Sequence, residues 1–206
     1  MGQVVMWSGG CDSTLVLYNA CQDARLYGSR SPVRAVSVQH PQMHSGKRRY
    51  FEAAQDRARA RITKEFKDRG LEFQHEHIIV PLGFGCEQNG GVIQPPWWMA
   101  VAAFQLGASD DLLLGWVRGD DIWHHWEHVK AVFAGMQAMS GRQGVLRVNL
   151  EWWDKREVIA ELEKLRLLHL CSWCERPTRR LKACGECNTC SVHVAADVVR
   201  KTHKGT

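Results

Sequence analysis

Long apolar runs are missing from this sequence. None approaches the roughly 20 residues that a membrane-spanning helix needs, so no membrane segment is expected. No positively charged stretch precedes an apolar one at the N-terminus, so no secretory signal is expected and the reading is a cytoplasmic protein. Internal repeats and low-complexity tracts are also absent, which argues against a repeat array. Two common glycine-rich nucleotide loops are missing as well. A Walker loop ends in Lys-Ser or Lys-Thr, and the only N-terminal Gly-rich stretch, Ser8-Gly9-Gly10, is followed by no lysine. A dinucleotide fingerprint needs three spaced glycines, and this stretch has an adjacent pair.

What is present is a soluble-globular composition, with 45% hydrophobic and 24% charged residues. A chain of 206 residues suits one domain with a small appendage. The net charge of +5 is mild and fits a protein that handles anionic nucleotides. Eight cysteines in a cytosolic chain argue for metal binding or chemistry over disulfides. Nine tryptophans are many, and Trp97-Trp98 and Trp152-Trp153 suit core, purine stacking or a dimer contact.

The chain is organised around Val4 to Leu17. Val4-Val5-Met6-Trp7 reads as a buried strand, Ser8 to Ser13 as a polar loop, and Thr14 onward as a helix. A strand, a glycine turn and a helix start bind phosphate, because the glycines admit the ligand and the first helical N–H groups are free. Strands are then expected at Val33–Val38, Glu72–Val80, Leu112–Val117 and Val145–Leu150. Helices are expected at Phe51–Phe66, Trp98–Leu106, Trp123–Met139 and Lys155–Leu168. Asp154 with Glu157 predicts a capping box for the last helix. The helix from Phe51 carries Arg57, Arg59, Arg61, Lys64, Lys67 and Arg69. With Glu52, Asp56, Glu65 and Asp68 interspersed, these read as a solvated face. Leu82 to Pro96 reads as a long loop of the kind that covers a site.

This alternation predicts an α/β fold, a doubly wound and mostly parallel sheet over residues 1–168, with a small zinc-binding segment at 169–206 packed on it. Ligands of such sheets sit outside the carboxyl ends of the strands, so the loops after Trp7, Val38 and Val117 are expected to converge. Arg118, Asp120 and Asp121 fall where a substrate pocket belongs. Near the C-terminus, Cys171, Cys174, Cys184, Cys187 and Cys190 offer five thiols at short spacings. Cys174, Cys184, Cys187 and Cys190 are the expected ligands of one structural zinc, with an iron–sulfur cluster or unligated thiols as the alternatives. Cys11 lacks a base partner nearby in the sequence and is read as non-catalytic.

Ser-Gly-Gly-x-Asp-Ser at residues 8–13, with Ser172-Trp173-Cys174 and Cys184-Gly-x-Cys187-x-x-Cys190 at the other end, resembles the 7-cyano-7-deazaguanine synthase family. That family belongs to the N-type ATP pyrophosphatases, whose fold is that of the adenine-nucleotide α-hydrolases. Gln42 and His44 resemble the family's Tyr-Gly-Gln-x-His loop, and Asp154 to Ile159 its Ser-Lys-x-Glu-Ile segment. The resemblance implies a homodimeric zinc enzyme that activates 7-carboxy-7-deazaguanine with ATP and Mg²⁺ and converts it with ammonia, through the amide, to the nitrile. It implies nucleotide contacts along Trp7, Ser8, Gly9, Gly10, Cys11, Asp12, Ser13, Thr14 and Leu15. Asp12 serves Mg²⁺ or the loop, and Lys155 neutralises the leaving pyrophosphate. Ser13 contacts phosphate, and His44 takes the proton from ammonium. Gln42, Arg118, Asp120 and Asp121 line the substrate pocket, with a carboxylate facing the guanidine-like edge of the base. No nucleic-acid partner is expected.

The middle of the chain departs from the family. Pro95-Pro96-Trp97-Trp98 stands where the family has Pro-Gly-Arg-Asn, and Asp121 to Glu127 where it has Tyr-Pro-Asp-Cys-Arg. These departures keep three other readings open: an enzyme that stops at the amide or joins the base to another amine, a tRNA-modifying adenylating enzyme, and a non-catalytic nucleotide and zinc module.

Overall fold

The computed structural model describes residues 2–29, 31–39, 50–79, 101 and 103–194. Gln42, His44, Cys86, Trp97, Trp98 and the stretch 82–96 lie outside the described residues. Five strands form one sheet: β1 (Gln3–Met6), β2 (Val33–Gln39), β3 (Phe73–Ile79), β4 (Asp111–Leu114) and β5 (Leu146–Val148). Their order is β3-β2-β1-β4-β5 and every pairing is parallel. The helices are α1 (Cys11–Leu26), α2 (Phe51–Asp68), α3 (Trp126–Ser140) and α4 (Lys155–Lys164). Among the described residues no helix is long and apolar enough to cross a membrane.

The two neighbouring strands β1 and β4 are short and largely apolar because both their faces are covered, whereas β3 at the edge is mostly polar. Successive side chains alternate between the faces. Val5, Ala35 and Leu113 face the core formed with α1, α2 and α4. Val4, Val36, Leu112 and Leu114 face the opposite core, with Ala103, Leu106, Val129 and Phe133. The chain thus winds over both faces and reverses direction at β1, which lies between β2 and β4.

Several elements differ in extent from their sequence expectation. The first helix begins at Cys11, so the residues read as loop at 11–13 form its first turn. The strand expected to reach Val117 ends at Leu114. A 3-10 turn at Asp121–His125 precedes α3. The last helix stops at Lys164, where Arg166 takes a positive φ of 57° and the chain turns into a 3-10 turn at Leu168–Leu170. The capping box is formed: Asp154 accepts from the N–H groups of Arg156 and Glu157, and Glu157 accepts from the Asp154 N–H. Such a cap is worth about 1 kcal/mol and fixes where Lys155 leaves the helix.

Candidate functional site

The site lies at the carboxyl end of β1, where the strand order reverses and parallel sheets open a crevice. Trp7 ends the strand inside the core. Its indole Nε1 donates to the Thr14 hydroxyl at 3.1 Å, and its ring meets Phe73 edge-on at 5.4 Å. Trp7, Thr14 and Leu15 are almost wholly buried. Their side chains hold the loop in place and are not offered to a ligand. The exposed member of the loop is Ser8.

The loop closes on itself. Ser8 N–H donates to Ser13 Oγ at 3.2 Å, and Gly10 N–H to Ser8 Oγ at 3.1 Å. Gly9 has φ +82°, and a Cβ there would stand 3.1 Å from the stem of Arg59 and from the Gln55 carbonyl. Gly10 is the N-cap of α1 and supplies no side-chain oxygen, so the N–H groups of the first turn keep their anion-binding capacity.

Two further elements complete the site. The loop after β4 brings Gly115 against α1, where a Cβ would fall 2.7 Å from the Ser13 nitrogen; a side chain there would displace the helix start. From α4, Lys155 Nζ donates to Asp12 Oδ2 at 2.5 Å across the crevice. Burial alone would lower the Lys155 pKa, but the charge and hydrogen bond of Asp12 outweigh it and the net shift is upward. Lys155 is therefore an ammonium at neutral pH. The other oxygen, Asp12 Oδ1, is buried and has no hydrogen-bond partner among the described residues. A buried carboxylate oxygen without a hydrogen-bond donor is of the type that suits a hard divalent cation.

Asp120 belongs to the same cluster. Desolvation raises its pKa and the nearby Lys155 charge opposes that rise; its Oδ2 accepts from Val117 N–H at 2.9 Å. Arg118 is anchored by its backbone, whose N–H donates to the Trp153 carbonyl at 2.8 Å. Asp121 opens the 3-10 turn and is exposed. The structure thus brings Ser8, Gly9, Gly10, Asp12, Ser13, Lys155 and Asp120 together. It leaves Arg118 and Asp121 exposed.

Three residues enter the site without having been assigned to it from the sequence. Arg59, counted above on the solvated face of its helix, is only 5% exposed and donates through Nη1 to the Ser8 carbonyl at 3.0 Å. Ser172 N–H donates to the Gly9 carbonyl at 2.9 Å, which ties the cysteine segment to the loop. His193, in a helical stretch at 188–194, stacks on Trp173 at 4.5 Å and places Nε2 3.9 Å from Cys11 Sγ. Its hydrogen bond to Cys171 and burial hold the Cys11 thiol well above its ordinary value despite this histidine. A neutral thiol is a poor nucleophile, so Cys11 serves packing. Only one signal for Arg59 exists in the sequence. It sits one residue from Ala58 on the stripe Ala54, Ala58, Ile62, at the edge of the buried face.

A hydrogen-bond chain supports the loop from the sheet. Ser37 Oγ donates to the Trp7 carbonyl at 2.5 Å, and with that proton committed, His75 Nε2–H donates to Ser37 Oγ at 2.9 Å. Desolvation by its surroundings and the Arg59 charge push the His75 pKa down to about 4. NMR titration is expected to find this ring neutral well below pH 6.5. The folded pKa lies below the unfolded one, so the stability from neutral His75 is complete above about pH 6.5 and is lost as pH falls toward about 4. His75 is exposed on the edge strand, and solvent screening makes that loss shallow. A His75 pKa near 6.5 would contradict the expectation.

The sulfur cluster stands beside this site. The Sγ atoms of Cys174, Cys184, Cys187 and Cys190 all lie within 4.8 Å of one another, close enough to hold a metal ion. Cys174 and Cys187 are 4.0 Å apart, and Cys184 and Cys190 are 3.9 Å apart. A tetrahedron with 2.3 Å metal–sulfur bonds has edges of about 3.8 Å. Backbone N–H groups of Glu186 and Cys187 point at Cys184 Sγ at 3.4 and 3.3 Å, and Glu186 above all brings that thiol down to about 6. Such N–H donors orient thiolate ligands. Cys171 Sγ donates instead to the Leu167 carbonyl, outside the cluster.

Fold and site together define an α/β protein with an all-parallel five-stranded sheet, a glycine loop and helix start at its switch point, and a metal-sized cysteine cluster in its C-terminal segment. No protein-family model matches the chain, and no curated protein matches it.

Proposed function

We propose that the chain is an N-type ATP pyrophosphatase resembling the 7-cyano-7-deazaguanine synthases, and that it activates a carboxylated 7-deazaguanine for attack by ammonia. The observation that carries the reading is the Asp12–Lys155 pair. It places a carboxylate with one unsatisfied oxygen and a fixed ammonium at the first turn of α1, beside Ser8 and Gly9. A loop without its own lysine thereby receives a cation from α4. Asp12 would hold Mg²⁺, which screens phosphate charge when bound.

In the proposed reaction a carboxylate oxygen of the acid attacks the α-phosphorus, and the bond to the β-phosphate oxygen breaks. Lys155 and the N–H groups at the start of α1 stabilise the departing pyrophosphate. Ammonia then displaces AMP and loses a proton to give the amide; the amide oxygen attacks the α-phosphorus of a second ATP, pyrophosphate leaves, and departure of AMP with the loss of the two amide protons gives the nitrile. Asp120 offers a carboxylate to the amino edge of the base, and Arg118 is the candidate for the carboxylate of the acid. The four clustered cysteines fit one zinc ion better than a multi-iron cluster, whose ligands sit on different irons, and a closed four-thiolate site has a structural role.

The test is pyrophosphate release in the presence of ATP, Mg²⁺ and ammonium. Release that requires 7-carboxy-7-deazaguanine, with a nitrile or amide product by mass spectrometry, is the expected result. A product bearing another amine would move the assignment to that acceptor. No turnover of the acid with any nitrogen donor would refute the reading.

A further inference from the structure

Four successive carbonyls of the loop are held by the protein behind them. The Trp7 carbonyl accepts from Ser37 Oγ, Ser8 from Arg59 Nη1, Gly9 from Ser172 N–H, and Gly10 from Thr14 N–H. In a planar trans peptide the carbonyl and the following N–H point in opposite directions. A carbonyl drawn back into the protein therefore turns the next N–H away from it. The grip on Ser8 governs the direction of the Gly9 N–H, which has no hydrogen-bond partner among the described residues.

Among these four donors only Arg59 is charged. Its guanidinium is almost fully buried, and Nη2 is paired with Asp56 one turn earlier on α2. That pairing fixes the fork, so Nη1 meets Ser8 in one orientation. Gly9 packs closely on the same side chain, since a Cβ there would crowd the Arg59 stem at 3.1 Å. A buried charge is costly unless its partners are well placed, and here the partners are one carboxylate and one loop carbonyl.

We infer that Arg59 is a positioning residue for the phosphate loop: by fixing the Ser8 carbonyl it sets the adjoining N–H for an anion and supplies positive charge behind a loop that carries no lysine. The inference rests on the proposed binding of ATP phosphates by this loop. Calorimetric titration of the full chain with magnesium pyrophosphate and with ATP is the test. Arg59→Met is expected to raise both Kd values about tenfold, the loss typical of one hydrogen bond to a charged group. Arg59→Lys, which keeps the charge and a donor, is expected to recover most of that loss. Metal content and the near-ultraviolet circular dichroism of both variants should match the parent.

Parent-like binding by a folded Arg59→Met overturns the inference while leaving the ATP reading intact. An equal loss in Arg59→Lys also overturns it, because a packing role is not rescued by charge. If the parent chain binds neither ligand, the ATP reading fails and the inference falls with it. Should Arg59→Met fail to fold, Asp56→Asn decides, since it frees the guanidinium fork without emptying its site. Weakening of pyrophosphate binding by about threefold supports the inference, and unchanged affinity overturns it.

Discussion

On the proposed reading, replacing Asp12 by alanine is expected to lower ATP turnover by about a thousandfold and to leave metal binding by the cysteine cluster unchanged. The size follows from what Asp12 does at once. It holds Lys155 at 2.5 Å and presents a second oxygen that no described residue satisfies. Loss of one preorganised electrostatic partner commonly costs two to three orders of magnitude, so about a thousandfold is the upper part of that range. Lys155→Met should fall comparably, because it removes the cation that α4 brings to Asp12 in the first turn of α1. If the two residues work as one unit, the double variant Asp12→Ala, Lys155→Met will be hardly slower than either single one. Radiolabelled ATP turnover and metal analysis on the same samples make the comparison. Retained turnover in Asp12→Ala would remove the pair from the reaction. Loss of metal along with turnover would show that the loop and the cysteine cluster fold as a unit.

The second large effect runs in the opposite direction. Stripping the metal with a chelator, or replacing Cys187 by serine, is expected to weaken ATP binding although no cysteine of the cluster belongs to the phosphate loop. The route is short. Ser172 lies two residues before Cys174 and donates to the Gly9 carbonyl, and His193, three residues after Cys190, meets Cys11 in the first turn of α1. A metal ion would bridge the four sulfurs and so hold Ser172 and His193, on either side of the cluster, against the loop. Metal sites of four thiolates contribute directly to folding. A fall in Tm of about 10 °C is the expected scale for a chain of this size losing several kcal/mol. Hydrogen exchange should quicken at the amides of residues 8–14 as well as at 171–194. A metal-free protein with parent-like exchange in the loop would show that the contact through Ser172 carries no coupling.

The alternation of apolar strands and amphipathic helices was legible from residue types alone, because each element must bury one or both faces. The parity of Val4 against Val5, and of Leu112 against Leu113, follows from the two-residue period of a strand. The metal-sized cluster was also legible, since Cys-x-x-Cys spacing forces pairs of sulfurs together over a few residues. Arg59 was not. On the helix stripe it stands beside the buried positions, and an arginine there reads as solvated until a neighbouring carbonyl and a carboxylate are known to receive it. Thr14 errs the other way: a hydroxyl in a phosphate motif reads as a ligand contact, yet the Trp7 indole claims it.

The sequence by itself determined the local pieces: the strand before the loop, the glycines within it, the capping box at Asp154 and the four thiols in one short segment. These depend on neighbours a few residues apart, and the preferences of backbone and side chain act at that range. The tertiary structure alone decided what surrounds the loop. Lys155 arrives from 143 residues away, Ser172 from the cysteine segment, Gly115 from the strand beyond the switch point and Arg59 from the helix packed behind. Those meetings are set by the order in which parallel strands pair, and strand pairing is a property of the whole sheet that no single segment encodes.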